Sequence, residues 1–540
     1  MIRGLLALAF CVENSYNITM GNKKKKLVEH RKPNGTIYVY EVVENYWDKE
    51  KQQARNRQVC IGKLDPDTNE FIPSKRFGKH AKPAMDETIT AHTTVSGPVL
   101  ILEKINTDIQ LSRYLKKAAP EDYAEILSLA YYLVCTGDCL SHAATWCNNH
   151  EVPARKSLES QRVSELLAHI DEDVIQTFFK AWGKVKSKKE TLCYDITSVS
   201  SYSELNEYVR YGYNRDREPL PQINMALLYA KESMLPLAYR YLPGSITDVT
   251  TLENLLDQLQ KLDYPKVQFI MDRGFYSKKN IEQLLNKKYQ FTLGVPTHIK
   301  WVREEIDKHR EEIDSPLGFR QVGVSIVYVH SQLYHWPGSR RRLYLHLYFD
   351  PNKQADDRVK FDLYIAQLMD ELKNEKHVED HEPHYTRFFH CKKTPKRGLQ
   401  VEMDWEAITA ARNEYVGYQA ILSTRIKDPL QALQIYREKD VVEKCFSDLK
   451  NQLDMKRLRV HRSPMMKGRL FIQFVAMILL SQIRNVLREQ KELASYTARG
   501  LLKEMESLTT IHYSGTYKDK HSEVTKRQRE ILAAFNLQVE

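Results

Sequence analysis

The sequence predicts an α/β protein whose mixed-sheet core is interrupted by a mostly β insertion subdomain. A β-rich N-terminal region and a helical region precede that core, and a helical region follows it. Three observations predict this organisation. Apolar stretches of strand length alternate with helical patterns across residues 189–296. Strand-like pieces at Val322–Val329 and Leu343–Phe349, with a charged helical stretch at Asp356–Lys376, occupy residues 297–410 before a further apolar strand begins. Apolar residues at helical spacing mark residues 99–185 and again the chain beyond residue 455. The 540 residues include 17 Phe, 31 Tyr and 6 Trp, which excludes a chain disordered throughout. With only 20 Gly and 20 Pro, a collagen-like or low-complexity chain is excluded too. The 81 Lys and Arg exceed the 70 Asp and Glu by 11, a balance that favours a polyanionic partner.

Residues 1–95 form the basic N-terminal region. The opening MIRGLLALAFCVENS has too short an apolar stretch, and no cleavage motif, for a secretory signal, and Met20 offers an alternative start. Strands are expected at Thr36–Val43 and Arg57–Ile61, and 15 Lys and Arg stand against 8 Asp and Glu between Lys23 and Lys82. Residues 96–188 are expected to be helical, with room for one or two helix–turn–helix-like pairs. Within 189–296, strands are expected at Leu192–Thr197, Asn224–Ala230, Leu235–Tyr241, Val267–Met271 and Tyr289–Val295. Helices are expected at Val249–Leu262 and at Lys278–Lys287, the second capped by Ser277. Three strands in a meander followed by α-β-α-β is the order of a ribonuclease H-like core. Residues 297–410 read as the mostly β insertion. The core resumes over 411–455, with a strand at Tyr415–Leu422 and one long helix opened by Asp428 and Pro429. Residues 456–540 read as helical. Their apolar run Leu470–Leu480 covers about half of a bilayer and predicts a buried helix, with no membrane partner. Eight Cys make no disulfide framework, so a reducing, cytoplasmic compartment is expected.

Three acids stand out by context. Asp195 interrupts an apolar strand, Asp272 ends another, and Glu443 lies on the helix that starts at Asp428. A carboxylate inside a buried strand is costly unless it is paired or binds a metal. Three oxygen ligands suit Mg²⁺ or Mn²⁺. Two such ions would stabilise both oxygens of an in-line phosphoryl transfer. On a continuous helix a seven-residue step rotates by only about 20°. Tyr436, Glu443 and Lys450 are therefore expected on one face, with Lys439 one turn from Glu443.

The pattern Tyr436-x2-Lys439-x3-Glu443-x6-Lys450 resembles the Tyr-Arg-Glu-Lys signature of DDE transposases from prokaryotic insertion sequences. The family's Arg is Lys439 here, which cannot make the bidentate phosphate fork. Tyr194–Ser198, Gly212–Gln222, Asp272–Ser277 and the basic strand unit ending Ile61-Gly-Lys-Leu-Asp65 resemble the same family. The resemblance implies that Asp195, Asp272 and Glu443 hold Mg²⁺ or Mn²⁺, with two ions expected. It implies that Tyr436, Lys439 and Lys450 position DNA phosphates. It also implies a β-stranded insertion that touches the transposon end, where a Trp can stack on a displaced base. Trp301, Trp336 and Trp405 are the candidates, with core packing as the alternative.

Lys456, Arg457, Arg459 and Arg462 follow the Glu helix with no intervening acid and are expected to contact DNA backbone, with a solvated loop as the alternative. The lysine run Lys23–Lys26 reads as a tail. Cys135, Cys139, His142, Cys147 and His150 lie in an apolar helical pattern without short-loop zinc spacing, so buried thiols are expected there. The resulting expectation is a transposase that binds the terminal inverted repeats of its own element through residues 1–95 and the DNA-binding helical region 96–188 and acts as a homodimer. It would cleave the ends by metal-assisted hydrolysis and join the 3′ ends to target DNA. A transposase-derived DNA-binding protein, or a ribonuclease H-like nuclease without strand transfer, stays open as the alternative.

Overall fold

The computed structural model describes residues 27–33, 35–48, 51–65, 71–74, 90–262, 264, 268–316, 318–323, 325–394, 398–514 and 517–539. The N-terminal stretch and Lys23–Lys26 lie outside the described residues. The chain divides into two compact units. The first comprises Met1–His92 with Tyr513–Lys518, and the second holds the rest.

In the first unit, β1 (Leu27–Arg31), β2 (Ile37–Asp48), β3 (Gln53–Leu64) and β4 (Phe71–Pro73) pair antiparallel in that order. The expected strands are thus halves of a longer hairpin. Its small core is Val39, Ile61 and Leu64.

The second unit is built on nine strands. These are β5 (Thr191–Ser200), β6 (Gln222–Ala230), β7 (Leu235–Pro243), β8 (Gln268–Met271), β9 (Gln290–Val295), β10 (Phe319–Val322), β11 (Ser325–His335), β12 (Arg342–Phe349) and β13 (Tyr418–Ser423). Their order across the sheet is β10-β11-β12-β13-β9-β8-β5-β6-β7. Pairing is parallel only at β5–β8 and β8–β9. Helix α1 (Asp248–Lys261) joins β7 to β8, and α2 (Lys278–Asn286) joins β8 to β9. Ser277 caps α2 by accepting from the Asn280 N–H at 3.0 Å.

The insertion differs from the expected mostly β subdomain. Helix α3 (Lys300–Ile313) opens it, and β10–β12 then extend the main sheet instead of forming their own. Residues 351–413 are largely helical, with helices Pro351–Lys373, Glu382–Phe388 and Trp405–Asn413 around one hairpin. They close a separate small core of Leu368, Phe388 and Ile408 among others. Strand-like pieces within β11 and β12 were legible, and so was part of the helix Pro351–Lys373, but the partner strand was not, because register depends on β13 about 70 residues later.

After β13 come α4 (Pro429–Arg437), α5 (Asp440–Asn451) and α6 (Ser463–Glu489). By length and composition α6 could cross a bilayer. Here its Leu470–Leu480 run is 0–1% exposed, packed inside the protein. Gln473 within that run donates to the Leu453 carbonyl at 2.9 Å. Gly468 lets α6 approach the helix Ser160–His169, since a Cβ there would lie 2.2 Å from the Leu167 carbonyl oxygen. The six helices of 97–186 share one continuous core with the sheet and α6, so the helical region is part of this unit and not a flanking module.

Candidate functional site

Strand register brings the first two acids together. Tyr194 pairs with Met271 across the parallel strands β5 and β8, so the next residues, Asp195 and Asp272, are neighbours. Adjacent strands run about 4.8 Å apart. Asp195 accepts from the Ile196 N–H at 2.8 Å. Burial, reinforced by the charge of Asp272, pushes its carboxyl up to about 7, against the opposing backbone hydrogen bond and the cations Arg215 and Lys439. Asp272 accepts from the Tyr436 hydroxyl at 2.6 Å. Burial and the Asp272 charge raise that phenol's pKa far above its ordinary value.

Glu443 reaches this pair through Lys439. The Lys439 ammonium is hydrogen-bonded to Glu443 and lies 3.9 Å from Asp272 Oδ1. Burial disfavours that charge, but Asp272, Glu443 and Asp195 outweigh it and raise the pKa of Lys439. The single helix expected from Asp428 is two helices. Asp428 caps α4 through the Gln431 N–H at 2.7 Å, and the helical ladder is broken at Glu438–Lys439. Lys450 does not join the acids. It bonds both oxygens of Asp216, at 2.8 and 2.7 Å.

Gly294 on β9 makes room for Tyr436, because a Cβ there would meet its hydroxyl at 2.5 Å and its ring at 2.9 Å. The model of the family described as Transposase DDE domain matches residues 186–479, from just before β5 into α6. The chain belongs to the transposase DDE domain family. No curated protein matches it. Among solved structures, the cryo-EM synaptic complex of piggyBac transposase with hairpin DNA is similar at a TM-score of 0.36 and 11% identity. That match covers 76% of this chain and 79% of the other.

Asp195, Asp272 and Glu443 carry the donor type that a divalent cation takes, although among the described residues their ligating oxygens do not all lie within 4.8 Å of one another. They offer hard oxygen donors, burial raises one carboxyl to about 7, and an ammonium lies between the other two. The basic segment runs past the end of β5, where the Leu458 N–H donates to the Ser200 carbonyl at 3.0 Å. Lys456, Arg459 and Arg462 are exposed, and Arg459 lies 3.3 Å from Asp454. Arg457 instead forms a two-pronged pair with Glu218 at 2.7 and 2.8 Å.

Sequence reasoning missed these acidic partners. Asp216 and Glu218 lie in the block Gly212–Gln222, whose charge alternation was a usable signal. The same β5–β6 connection exposes Tyr202, Tyr211 and Tyr213 at 70–82%. Of the three tryptophans, Trp336 is buried and Trp301 is partly buried with its N–H on the Tyr276 hydroxyl at 2.8 Å. Trp405 is 67% exposed. The Cys/His run does not converge. Cys135 and Cys147 are buried, His142 pairs with Asp138, and His150 stacks on Trp146 and contacts Glu506.

Proposed function

We propose that the chain is a cut-and-paste DNA transposase whose reacting centre is Asp195, Asp272 and Glu443 on a ribonuclease H-like core. The observation that carries this reading is the adjacency of Asp195 and Asp272 on parallel strands, with Tyr436 and the Lys439–Glu443 pair converging on Asp272. It occurs within a chain of a transposase family. Bound Mg²⁺ or Mn²⁺ would neutralise charge on the attacking and leaving oxygens of a phosphodiester. The protein's own groups have separable tasks. Tyr436 fixes the rotamer of Asp272, and Lys439 holds Glu443 in place and offers its ammonium to a phosphate oxygen. Lys456, Arg459 and Arg462 supply backbone contacts that set register on the duplex, and Lys450 and Arg457 join them where DNA displaces Asp216 and Glu218. The exposed tyrosines of the β5–β6 connection offer stacking faces to unpaired bases. Recognition of terminal inverted repeats is assigned to the basic N-terminal unit and the helical region, and pairing of two ends to a homodimer.

The test uses the inverted repeats that flank the gene as substrate. Full-length protein with Mg²⁺ should nick the repeat ends and join pre-cleaved 3′ ends to plasmid DNA. Asp272→Ala should lower cleavage by on the order of 10³-fold, the scale of several kcal/mol of lost charge stabilisation, while a gel-shift with the same ends is retained. Cleavage at the wild-type rate by this variant would sink the assignment of the acids. Cleavage without joining would move the protein to the nuclease reading.

A further inference from the structure

A second cluster of ligating side chains lies between α3 and β11, apart from the three acids. His309 and Glu312 sit one turn apart on α3, and His330 meets them from β11. His330 Nδ1 lies 3.1 Å from Glu312 Oε1, and His309 Nδ1 lies 3.3 Å from Glu312 Oε2. The two imidazoles stack with centroids 3.8 Å apart and planes 18° apart. Their Nε2 atoms are buried without a hydrogen-bond partner, which is costly for a polar ring nitrogen.

Bonds of about 2.0–2.1 Å in a tetrahedral site place neighbouring donors about 3.3–3.4 Å apart. The observed separations of 3.1 and 3.3 Å run to two different oxygens of Glu312, and one donor atom from each residue can be chosen so that all three lie within 4.8 Å of one another, close enough to draw together on one ion. We propose that His309, Glu312 and His330 bind one divalent transition-metal ion of the zinc class, which fastens α3 to the sheet extension. Two imidazoles and one carboxylate select such an ion over Mg²⁺. Metal at Nδ1 leaves the proton on Nε2 of each ring, and Glu305 Oε2 lies 3.8 Å from His309 Nε2, beyond hydrogen-bond reach. Glu312 is 57% exposed, so water has access to the fourth position. Lone histidines on a helix are ordinarily solvated. The convergence of two elements on one carboxylate is what separates this cluster from that reading.

The experiment uses full-length protein stripped with EDTA and returned to buffer with excess Mg²⁺, which occupies an all-oxygen site. Co²⁺ is added and followed by visible absorption, then displaced with Zn²⁺ in a calorimeter. The expected result is one Co²⁺ per chain with an intense four-coordinate spectrum, retained in the Asp195→Asn/Asp272→Asn double variant. His330→Gln should weaken Zn²⁺ by more than the roughly 10–100-fold that loss of an outer partner costs. It should also abolish the rise in unfolding midpoint that Zn²⁺ gives the parent. Glu312→Gln, at an exposed position, repeats the test should His330→Gln not fold. A Co²⁺ spectrum and Zn²⁺ affinity unchanged in both variants would overturn the proposal. So would binding lost only with the two aspartates, or no binding at micromolar Zn²⁺.

Discussion

Replacing Asp195 by Asn keeps the shape of the side chain and removes its titration. In the folded chain, burial first and the charge of Asp272 next push this carboxyl from 3.8 to about 7. A folded-state value above the unfolded one means that the folded chain holds the proton more tightly. Its stabilising contribution is complete below about pH 4 and is lost as the pH rises to about 7. At about 1.4 kcal/mol per tenfold change in proton affinity, the loss reaches ~4 kcal/mol at most. Asn escapes it. Urea unfolding in EDTA, followed by Trp fluorescence in steps from pH 4 to pH 8, should therefore show similar midpoints at the acid end. At pH 8 the variant should be the more stable protein, by up to that amount. Added Mg²⁺ should narrow or reverse the difference, because a cation stabilises the ionised carboxylate and binds only the folded chain. Parallel pH dependences in EDTA would refute the burial argument. Equal Mg²⁺ effects on both proteins would refute Asp195 as a ligand.

Three further expectations concern the surroundings of the acids. Gly294→Ala should displace the Tyr436 ring, cost about 1–3 kcal/mol in thermal unfolding as overpacking does, and slow cleavage. A Gly294→Ala cost that vanishes in a Tyr436→Ala background would identify the clash as the cause. Asp216→Asn releases Lys450 from its carboxylate, so non-specific DNA should bind more tightly, with a steeper dependence of log affinity on log salt by about one phosphate contact. An unchanged slope would show that Lys450 does not face DNA. Deleting residues 1–95 should weaken binding to the inverted repeats more than to random duplex, read by competition gel-shift. Equal losses would assign the region to non-specific contact.

Much of the core was legible because its signals are local. Strands β5 to β9 are short apolar runs bounded by polar turns, and their limits fall within a few residues of expectation. Ser277 and Asp428 cap the helices they were expected to cap, since a capping side chain acts within three residues of itself. The parts that were not legible depend on distant pairing. Joining β10–β12 to the main sheet requires β13, which the sequence places after the helical part of the insertion. The carboxylates facing Lys450 and Arg457 belong to a loop more than 200 residues away in sequence, so no periodicity links them. The helical region looked separable because its periodicity is self-contained. Its buried faces are completed by α6, whose apolar run is wider than its own partners in sequence could cover.

The break between α4 and α5 reconciles two demands that one helix could not meet. Tyr436 is 7% exposed and packs against Gly294, whereas the Glu443 side chain is 54% exposed. On a continuous α-helix these residues would differ by about 20° in azimuth, and burying one would bury the other. At the junction the backbone changes to three-residue closures. The Lys439 N–H donates to the Tyr436 carbonyl at 3.3 Å, Val441 to Glu438 at 3.2 Å, and Val442 to Lys439 at 2.9 Å. Such closures advance about 120° per residue and turn α5 about its axis relative to α4. The phenol can then enter beneath Asp272 while Glu443 stays at the surface, with Lys439 bridging the two. The spacing of Tyr436, Lys439 and Glu443 thus encodes a junction between two helices, and its chemistry depends on the face being divided there.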